Sequence, residues 1–502
     1  MRRFSILPHK ISYGIALVLA FVAEALFMLF LIALDILPLA YLLGVIGVLV
    51  LIDLLILLLF NGKKKRDVKS LGALVIIVFM LNILLVGDYF IYSTYDTLEQ
   101  ISSLHDRWEY YEVIAPVDSK YQKVADIKGS EINVVDMQSK QLQEAEERLV
   151  TKGDVTYTKC DKLLDVGHKL VDKKGKVHDR LALVSKSENK LLGRNIEGYK
   201  DQTQVIYRLK VKQRADDHSK SVDVTKDSFN VLISGIDSWG TIDEGGLSDV
   251  NMVMTVNPTT REVMLTSIPR DSYVPLHSYG EKDKLTHTGI YGEEETKQTI
   301  EDLLDIDINY TIRVNFSMLC DIIDAIGGID VYVDEDFYSA VKGWHYKKGW
   351  HHMDGHYALW FARERKSFAE GDMKRNENQQ RVMKALIEKV TSSKVILTRY
   401  TGILKVVKDE MSTDLKNSDL KKLARMQLIK MRKWTVSRTN LVGSTGSAPC
   451  FSMGNQALSC VFLDEAKVEE AKERIHNTMF PVDNTQTIVE QEQEEKQEKQ
   501  SE

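Results

Sequence analysis

The stretch FNVLISGIDSWGTIDEGGLSDVNMVMTVNPTTREVMLTSIPRDSY, residues 229–273, decides the fold of the central part of this chain. Its three apolar runs, FNVLISGI, VNMVMTV and EVMLTSI, have the length and composition of buried β-strands. Charged residues stand where these runs end. Because buried strands hold their ends rigidly, we expect four side chains to meet at one edge of a sheet, at the exit of parallel-type strands: Asp237, Asp249, Arg270 and Asp271.

The two strand-end aspartates, Asp237 and Asp249, are candidate ligands for a divalent cation. Mg²⁺ prefers few carboxylates and completes its shell with water and phosphate oxygens, and Mn²⁺ accepts similar ligands. A neighbouring guanidinium group, here that of Arg270, suits a diphosphate because its planar fork binds two oxygens at once. The alternative is that both aspartates only cap turns.

A second basic motif, FARERK at 361–366, follows further along the chain. If the segment is extended, Arg363 and Arg365 point to the same side, since side chains alternate along a strand. They then form an anion-binding pair. The alternative is a solvated basic face in which the arginines pair with a nearby acid such as Glu364.

A third motif, GDMKRNENQQRV at 371–382, precedes and enters a predicted helix over 376–390. Lys374 and Arg375 open this helix, and a helix N-terminus next to a guanidinium group favours a bound anion. Ion pairing with Asp372 is again the alternative.

Strand-like and helix-like segments alternate after a polar link at 212–228, which is typical of α/β domains. The pattern predicts a three-layer α/β/α domain over 216–480. Besides the strands quoted above, its predicted elements are a helix at 296–304, a strand at 310–316, a helix at 318–326, a strand at 329–333, the helix at 376–390 and a basic helix at 419–434.

Residues 1–95 predict a membrane anchor of three helices. The apolar runs at about 13–34, 38–60 and 71–92 are each long enough to cross about 30 Å of hydrocarbon. Basic residues precede the first run, and KKKR at 63–66 separates the second from the third. The positive-inside rule therefore places the N-terminus in the cytoplasm and the main domains outside the cell.

Residues 96–215 predict a small extracellular α/β accessory domain. It opens with a predicted helix over 96–112 and continues with strands at 131–136 and 180–185 around a helix at 140–150. Because this region has no cluster with metal or nucleophile spacing, we expect a spacer or interaction module. Residues 481–502 form a polar tail that is predicted to be disordered.

Composition excludes some classes of function and leaves others open. The chain of 502 residues carries 66 basic and 72 acidic side chains, a net charge of −6, so no basic excess points to nucleic acid. Four cysteines are too few for a disulfide-built scaffold, although Cys450 and Cys460 could pair, whereas Cys160 and Cys320 fit buried single thiols. The histidines at 351, 352 and 356 fit either a surface turn or zinc.

Together the motifs resemble those of the LytR-CpsA-Psr (LCP) family of cell-envelope phosphotransferases, in particular its capsule-biosynthesis, CpsA-like members. The resemblance covers about residues 225–480, and the N-terminal part also looks like the membrane region of the capsule-type members. The motifs that carry it are GIDS (235–238), SDVNMVMTVNP (248–258), SIPRDSYV (267–274), KLTHTGIYG (284–292), AIGGIDVYV (325–333), FARERK and GDMKRNENQQRV.

This resemblance implies an α/β catalytic domain with phosphotransferase activity. The expected donor is a polysaccharide linked to undecaprenyl pyrophosphate, a capsular one by resemblance to the CpsA-like members, and the expected acceptor is peptidoglycan. Pyrophosphatase activity is the expected side reaction. The implied surroundings are the cytoplasmic membrane and a capsule export machinery.

The resemblance also assigns roles to residues. Relatives hold Mg²⁺ at the positions of Asp237 and Asp249, so these are the implied metal ligands and, with Arg270 and Asp271, the implied catalytic residues. Which aspartate accepts the proton stays open. The implied contacts to the lipid pyrophosphate are Arg270, Arg363, Arg365, Arg375 and Gln379.

One position departs from the family pattern. Relatives usually carry arginine before the Ser-Asp pair, where this chain has Leu247. Either pyrophosphate is held less tightly, or another cation such as Lys284 or Arg313 takes the place of the missing arginine. A charge-assisted hydrogen bond contributes about 1.5–3 kcal/mol. Restoring arginine at Leu247 is therefore expected to raise the affinity for pyrophosphate.

Two other classes of function compete with the enzyme. A transcriptional regulator needs a folded cytoplasmic domain, and the predicted cytoplasmic pieces are too short for a helix-turn-helix. A non-catalytic lipid binder or scaffold for capsule synthesis is favoured by Leu247. Loss of Asp249 would leave wall attachment of polymer intact in a scaffold but not in an enzyme.

Overall fold

The computed structural model describes most of the chain. The described residues are 9–60, 68–102, 107–137, 139–213, 219–236, 247–392, 399, 402–403, 406, 412–430, 432–454 and 456–481. Nearly all of the polar tail predicted to be disordered, and the aspartate at position 237, lie outside them.

Three apolar helices come first: α1 (His9–Leu34), α2 (Leu39–Phe60) and α3 (Val68–Ser102). Each contains a segment long and apolar enough to cross a membrane, which confirms the three predicted spans. The prediction of a separate helix over 96–112 is wrong at its end, because α3 stops at Ser102 and a strand begins at Arg107. A helix cannot continue there since that segment pairs with two neighbouring strands.

The accessory region is built on a five-stranded sheet in the order β3-β2-β4-β1-β5. Ser139 and Ser185 cap its two longer helices by accepting hydrogen bonds from backbone N–H groups. Its strands are β1 (Arg107–Pro116), β2 (Glu131–Val135), β3 (Thr156–Cys160), β4 (Leu181–Ser185) and β5 (Thr203–Gln213), and its helices are α4 (Lys140–Gly153), α5 (Leu163–Leu170), α6 (Lys186–Asn195) and α7 (Tyr199–Gln202), with a 3₁₀ turn at Val124–Ile127.

The central sheet has six strands in the order β16-β11-β6-β7-β8-β17. The expected parallel arrangement is wrong for its middle: β6, β7 and β8 form an antiparallel meander, and only β11 with β6 and β17 with β8 run parallel. Short links between the three strands favour hairpins over crossovers. The strands are β6 (Phe229–Ile236), β7 (Ser248–Asn257), β8 (Glu262–Ile268), β11 (Tyr310–Asn315), β16 (Ser412–Thr413) and β17 (Thr435–Asn440).

Helices cover both faces of the central sheet, which confirms the three-layer α/β/α architecture. On one face, Leu232 and Val253 pack with residues of α8 (Glu293–Leu304) and of the last described helix (Glu465–Met479). On the other face, the sheet core packs against α11 (Asp372–Val390) and the basic helix (Asn417–Lys430). Alternating side chains of the buried strands supply both cores.

Several two-stranded sheets lie outside the central sheet of this domain. The predicted strand at 329–333 forms, but it pairs outside the central sheet. The remaining elements are β9 (Tyr273–Pro275), β10 (Lys282–Lys284), β12 (Ile329–Val333), β13 (Phe337–Tyr338), β14 (His345–Tyr346), β15 (Gly349–Met353), β18 (Gly443–Cys450), β19 (Gln456–Leu463), α9 (Phe316–Ala325), α10 (Gly355–Arg363), and 3₁₀ turns at Leu285–Ile290 and Phe451–Met453.

The basic helix also meets the turn between α1 and α2. Nη1 of Arg425 lies 3.1 Å from Oδ1 of Asp35, and the hydroxyl of Tyr41 donates to the carbonyl of Leu428 at 3.4 Å. This turn and the end of α3 therefore lie on the same side of the three-helix bundle as the α/β/α domain.

Candidate functional site

The antiparallel meander brings three strand ends to one edge of the central sheet. Ile236, the last residue of β6, pairs with Ser248, the first residue of β7, and Asn251 pairs with Ile268 at the end of β8. Because neighbouring strands run in opposite directions, the end of one lies beside the start of the next. The strand ends therefore meet at one edge of the sheet as predicted, although the strands are antiparallel and not parallel as expected.

Arg270 and two aspartates form a compact ionic group at this edge. Nη1 of Arg270 lies 2.5 Å from Oδ1 of Asp249, and its Nε lies 3.5 Å from Oδ2 of Asp271. Nζ of Lys284 lies 3.2 Å from the other oxygen of Asp271. Burial alone would lower the pKa of Arg270, but the two carboxylates outweigh it and raise that pKa. The guanidinium group of Arg270 is therefore positively charged, and the two carboxylates balance its charge.

The turn that carries Arg270 is held by backbone hydrogen bonds. A tight turn follows Pro269, since the N–H and hydroxyl of Ser272 both donate to the carbonyl of Pro269, at 3.0 and 2.6 Å. The carbonyl of Arg270 accepts from Thr286 N–H at 2.8 Å, and that of Asp271 from Val461 N–H at 2.8 Å. Such a fixed backbone places the charged side chains reproducibly.

The second basic motif is not extended, contrary to expectation. Arg363 is the last residue of α10, and only the residues after it form a loop. Its guanidinium carbon lies 4.1 Å from the ring centre of Phe316 and 4.8 Å from that of Trp360. Stacking on two aromatic rings fixes the plane of the arginine and favours its charged form.

Glu364 organises the loop after α10 instead of pairing with the arginines. One of its oxygens accepts backbone N–H bonds from residues 365–367 at 3.0 to 3.3 Å, and the other accepts from Ala340 at 2.9 Å. Burial raises the pKa of Glu364, but these bonds and one from Ser339 outweigh it, so the pKa is lowered. The loop wraps around a carboxylate, which leaves its basic side chains to face outward.

The third basic motif lies inside a helix that begins earlier than predicted, at Asp372. Asp372 pairs with Nη2 of Arg375 at 3.2 Å and with Nη1 of Arg365 at 3.4 Å. Burial lowers the pKa of Arg375, which is 8% exposed, and the nearby Arg270 lowers it further. Lys374 turns away, with Nζ 2.7 Å from Asp334.

One cavity of about 340 Å³ unites the strand edge with both basic motifs. All five residues expected to contact pyrophosphate line it, as does Asp249. Its walls carry six basic and two acidic side chains, an excess of positive charge suited to a multiply charged anion. The lining residues are Arg194, Asp249, Val250, Arg270, Phe316, Val341, Trp360, Arg363, Glu364, Arg365, Lys366, Arg375 and Gln379.

Two cations of this cavity were not singled out from the sequence. Lys366 lies inside the FARERK motif, so the motif itself was the available signal. Arg194 comes from α6 of the accessory sheet, in a segment without a recognisable motif. Packing of the accessory region against the α/β/α domain brings Arg194 to the cavity.

Of the two cations considered as substitutes for the missing arginine, only Lys284 lies at the strand edge. Arg313 pairs with Glu293 and lines a different pocket, beside Glu109 and Tyr111 of the accessory sheet. Leu247 packs against the apolar core that joins the accessory sheet to the β18–β19 hairpin. An apolar side chain at this position therefore has a packing role.

At the strand edge, Asp249 is the described candidate ligand for a divalent cation. Oδ1 of Asp249 is engaged by Arg270, and within the described part of the chain no hydrogen bond or ion pair engages its Oδ2. That oxygen suits a hard cation that also binds phosphate and water. Asp237 follows Ile236 directly but lies outside the described residues.

The other residues considered for disulfide or metal chemistry have local roles. All four cysteines are free and buried, as expected for Cys160 and Cys320, and the Sγ atoms of Cys450 and Cys460 lie 3.8 Å apart. Nδ1 of His352 lies 2.8 Å from Asp330. Within the described residues, the group of side chains that could hold a metal lies elsewhere and includes none of the histidines at 351, 352 and 356.

Comparison with known proteins identifies the family. The profile of the LytR_cpsA_psr family matches residues 196–497, more than half of the chain. The protein belongs to the LytR-CpsA-Psr family. This match includes the central sheet, the Arg270 turn and both basic motifs, so the resemblance of the motifs is confirmed.

Named relatives of this LytR-CpsA-Psr protein include two polyisoprenyl-teichoic acid–peptidoglycan teichoic acid transferases TagU. The Enterococcus faecalis protein is 36% identical over 202 residues, 40% of this chain and 65% of the relative. The Bacillus subtilis protein is 33% identical over 191 residues, 38% of this chain and 61% of the relative. The chain thus spans less than two thirds of their length. The crystal structure of B. subtilis TagV is similar at 28% identity and a TM-score of 0.42, covering 51% of this chain and 98% of that one.

Proposed function

We propose that this protein transfers a polysaccharide from a polyprenyl pyrophosphate carrier to a hydroxyl group of peptidoglycan. The observation that carries the proposal is one cavity in which Asp249 and the arginines of four separate segments converge. A diphosphate bears its charge on several oxygens, and planar guanidinium groups on opposite walls can bind them in pairs. The names of the two transferase relatives support the same reaction class.

In this proposal the acceptor hydroxyl oxygen attacks the phosphorus atom that bears the sugar. A new P–O bond forms to peptidoglycan, the bond to the polyprenyl phosphate oxygen breaks, and polyprenyl phosphate leaves. Arg363 and Arg375 bind the diphosphate oxygens and stabilise the charge that develops on them. Contacts with two cations, Arg270 and Lys284, hold the Asp271 carboxylate in place.

A magnesium ion would be held by Asp249 together with Asp237. When bound, it supplies further neutralisation of the diphosphate charge. Manganese would take the same ligands. The proton of the acceptor hydroxyl passes to a carboxylate of the strand edge, either one of these two or Asp271.

The membrane helices suit a lipid-borne donor. The basic helix contacts the turn between α1 and α2, so the α/β/α domain lies close to one membrane surface. With the N-terminus in the cytoplasm, that surface is the outer one, where peptidoglycan lies. We propose a capsular polymer as cargo because the membrane region resembles that of capsule-type members. A capsule export machinery would deliver it.

The test uses the full-length protein in detergent with Mg²⁺, a lipid-linked oligosaccharide and peptidoglycan fragments. Arg365→Ala is expected to lower the transfer rate about 10-fold or more, the effect of one charge-assisted contact. Arg148→Ala is the matched control, because Arg148 is also 46% exposed but lies on α4, away from the cavity.

The outcomes separate the competing functions. Transfer of the oligosaccharide to peptidoglycan by the wild-type protein supports the enzyme. Release of a free oligosaccharide phosphate into solution measures the pyrophosphatase side reaction. Tight lipid binding without turnover by wild-type protein supports the non-catalytic scaffold instead. Comparing capsular with teichoic acid oligosaccharides as donors decides which polymer is the cargo.

A further inference from the structure

A second group of metal-binding side chains lies outside the cationic cavity, beneath the β18–β19 hairpin. Asp283 of β10, His287 of the following 3₁₀ turn and Cys450 at the end of β18 each offer a ligand atom, and these atoms all lie within 4.8 Å of one another. Their exposed fractions are 0%, 4% and 0%. None of the three lines the cationic cavity, and the proposed transfer reaction does not use them.

The hydrogen bonds around Asp283 fix these side chains. Oδ1 of Asp283 lies 2.6 Å from Nδ1 of His287, one helical turn along the chain, and Oδ2 accepts from the N–H of Ser452 at 2.7 Å. Ser452 belongs to the turn between β18 and β19, so the carboxylate ties the hairpin to β10. These two bonds hold the carboxylate next to the imidazole of His287 and to the hairpin turn.

A fourth donor stands beside Cys450. The Sγ atom of Cys460 on β19 lies 3.8 Å from that of Cys450. In a tetrahedral zinc site with Zn–S bonds of about 2.3 Å, two sulfur ligands are separated by about 3.8 Å. The two thiols therefore already have the spacing of neighbouring zinc ligands.

The surroundings of the group are apolar. Cys450 and Cys460 belong to the core that packs α5 and α6 of the accessory region against the hairpin. A fully buried carboxylate in such a place is costly unless a positive charge balances it. Within the described residues, the ion pairs of Asp283 are limited to the one with His287. A divalent cation would balance two of the three negative charges that the carboxylate and the two thiolates would carry.

We propose that this group binds one structural zinc ion through four donors: Asp283, His287, Cys450 and Cys460. On binding, both thiols give up their protons to solvent, and zinc takes the imidazole nitrogen of His287 that carries no proton. Asp283 and His287 move apart from hydrogen-bond distance, and Cys460, which lies outside the group of three whose ligand atoms are within 4.8 Å of one another, moves toward them. Four protein ligands make a closed site, which is structural and not catalytic.

The position of the zinc site connects the accessory region with the cationic cavity. The hairpin that carries both cysteines donates the N–H of Val461 to the carbonyl of Asp271, next to Arg270. Lys284, which pairs with Asp271, directly follows Asp283. Zinc would therefore stiffen the support of the Arg270 turn without touching the substrate.

Metal content of the full-length protein, purified in detergent with a thiol reductant, tests the site. Elemental analysis by inductively coupled plasma mass spectrometry is expected to find about one zinc ion per chain. Replacement by Co²⁺ should give the sulfur-to-cobalt charge-transfer absorption of thiolate ligands. Cys450→Ser is expected to lose both signals, whereas Cys160→Ser keeps them, because Cys160 is equally a buried thiol but lies on β3.

Two results would overturn the zinc site. One is a folded wild-type protein that contains no zinc and gives no cobalt charge-transfer band. The other is a Cys450–Cys460 disulfide found by peptide mass spectrometry in protein taken directly from cells. If Cys450→Ser fails to fold, the wild type decides alone: a chelator should lower its Tm and zinc should restore it, and an unchanged Tm contradicts the proposal.

Discussion

The two walls of the cationic cavity hold their positive charges in different ways. The strand wall is defined here as Asp249 and Arg270, which line the cavity, together with Asp271, which contacts Arg270 but does not line it. The two carboxylates lie 2.5 and 3.5 Å from this arginine. On the helix wall, defined as Arg363, Arg365, Lys366 and Arg375, the cations outnumber their acids, and aromatic rings or a single shared carboxylate orient them.

This difference separates two tasks. On the strand wall, carboxylates balance the charge of the arginine, so this wall attracts anions weakly. Its carboxylate oxygens can instead bind a metal ion or accept a proton. A wall with surplus charge attracts the diphosphate and holds it against the strand edge. Chemistry and binding should therefore respond to different substitutions.

The largest effect is expected on the strand wall. Asp249→Asn removes a proposed metal ligand, so the transfer rate should fall about 100-fold or more. It also removes one of the two carboxylates that pair with Arg270 and makes the cavity more positive, so binding of a pyrophosphate analogue in the absence of metal should be equal or tighter. Rates and calorimetric titration measure the two effects, with Asp118→Asn, at an exposed accessory site, as the control. Weaker metal-free binding would show that the walls do not divide the tasks.

On the helix wall, Arg363→Lys keeps the charge but loses the flat group that stacks on Phe316 and Trp360. Pyrophosphate binding should weaken about 10-fold, since a lysine cannot reproduce bidentate contacts. Titration calorimetry measures this effect, and Arg148→Lys on α4 should change nothing. Equal binding by Arg363→Lys would mean that charge alone, and not planar geometry, is what the helix wall provides.

A smaller effect is expected at Glu364, whose carboxylate holds the loop that follows α10. Glu364→Gln removes the charge and one acceptor oxygen from the loop after α10, so the free energy of unfolding should fall by about 1–3 kcal/mol. The lowered pKa of Glu364 means that its contribution is present above its unfolded pKa and is lost as pH falls through its folded pKa. Thermal unfolding should therefore show a difference between wild type and variant that shrinks on acidification.

Glu370→Gln is the matched control for that loop, because Glu370 is exposed on the same segment. A Glu364→Gln protein as stable as the wild type at neutral pH would show that the loop does not depend on its central carboxylate.

The smallest effect is expected at Leu247. Restoring the arginine that relatives carry should tighten pyrophosphate binding by less than about threefold, a weaker gain than one full charge-assisted bond. Six basic side chains already line the cavity, and Leu247 packs into the core beside the hairpin. A gain of 10-fold or more in calorimetry would show that the strand wall lacks a cation after all.

Local patterns in the chain were enough to predict the membrane helices and the α/β/α class, whereas the arginine and glutamine residues of the cavity were assigned through the resemblance of their motifs to the family. Apolar periodicity depends on neighbouring residues, and strand ends are marked by the charged residues that follow them. The residues around Arg270, Arg363 and Arg375 belong to continuous motifs, so their identity was visible before their positions were.

Features that depend on packing between distant segments were not predictable in this way. The antiparallel meander, the turning away of Lys374, the entry of Arg194 from the accessory region and the meeting of Asp283 with Cys450 all follow from which surfaces pack together. Local sequence specifies an element and its buried face, but the free energy of burying that face is gained against a partner elsewhere in the chain. The residue types of the arginine motifs can therefore be read from the local sequence. The charge balance of the cavity and the buried group of metal-binding side chains form only when distant segments pack together.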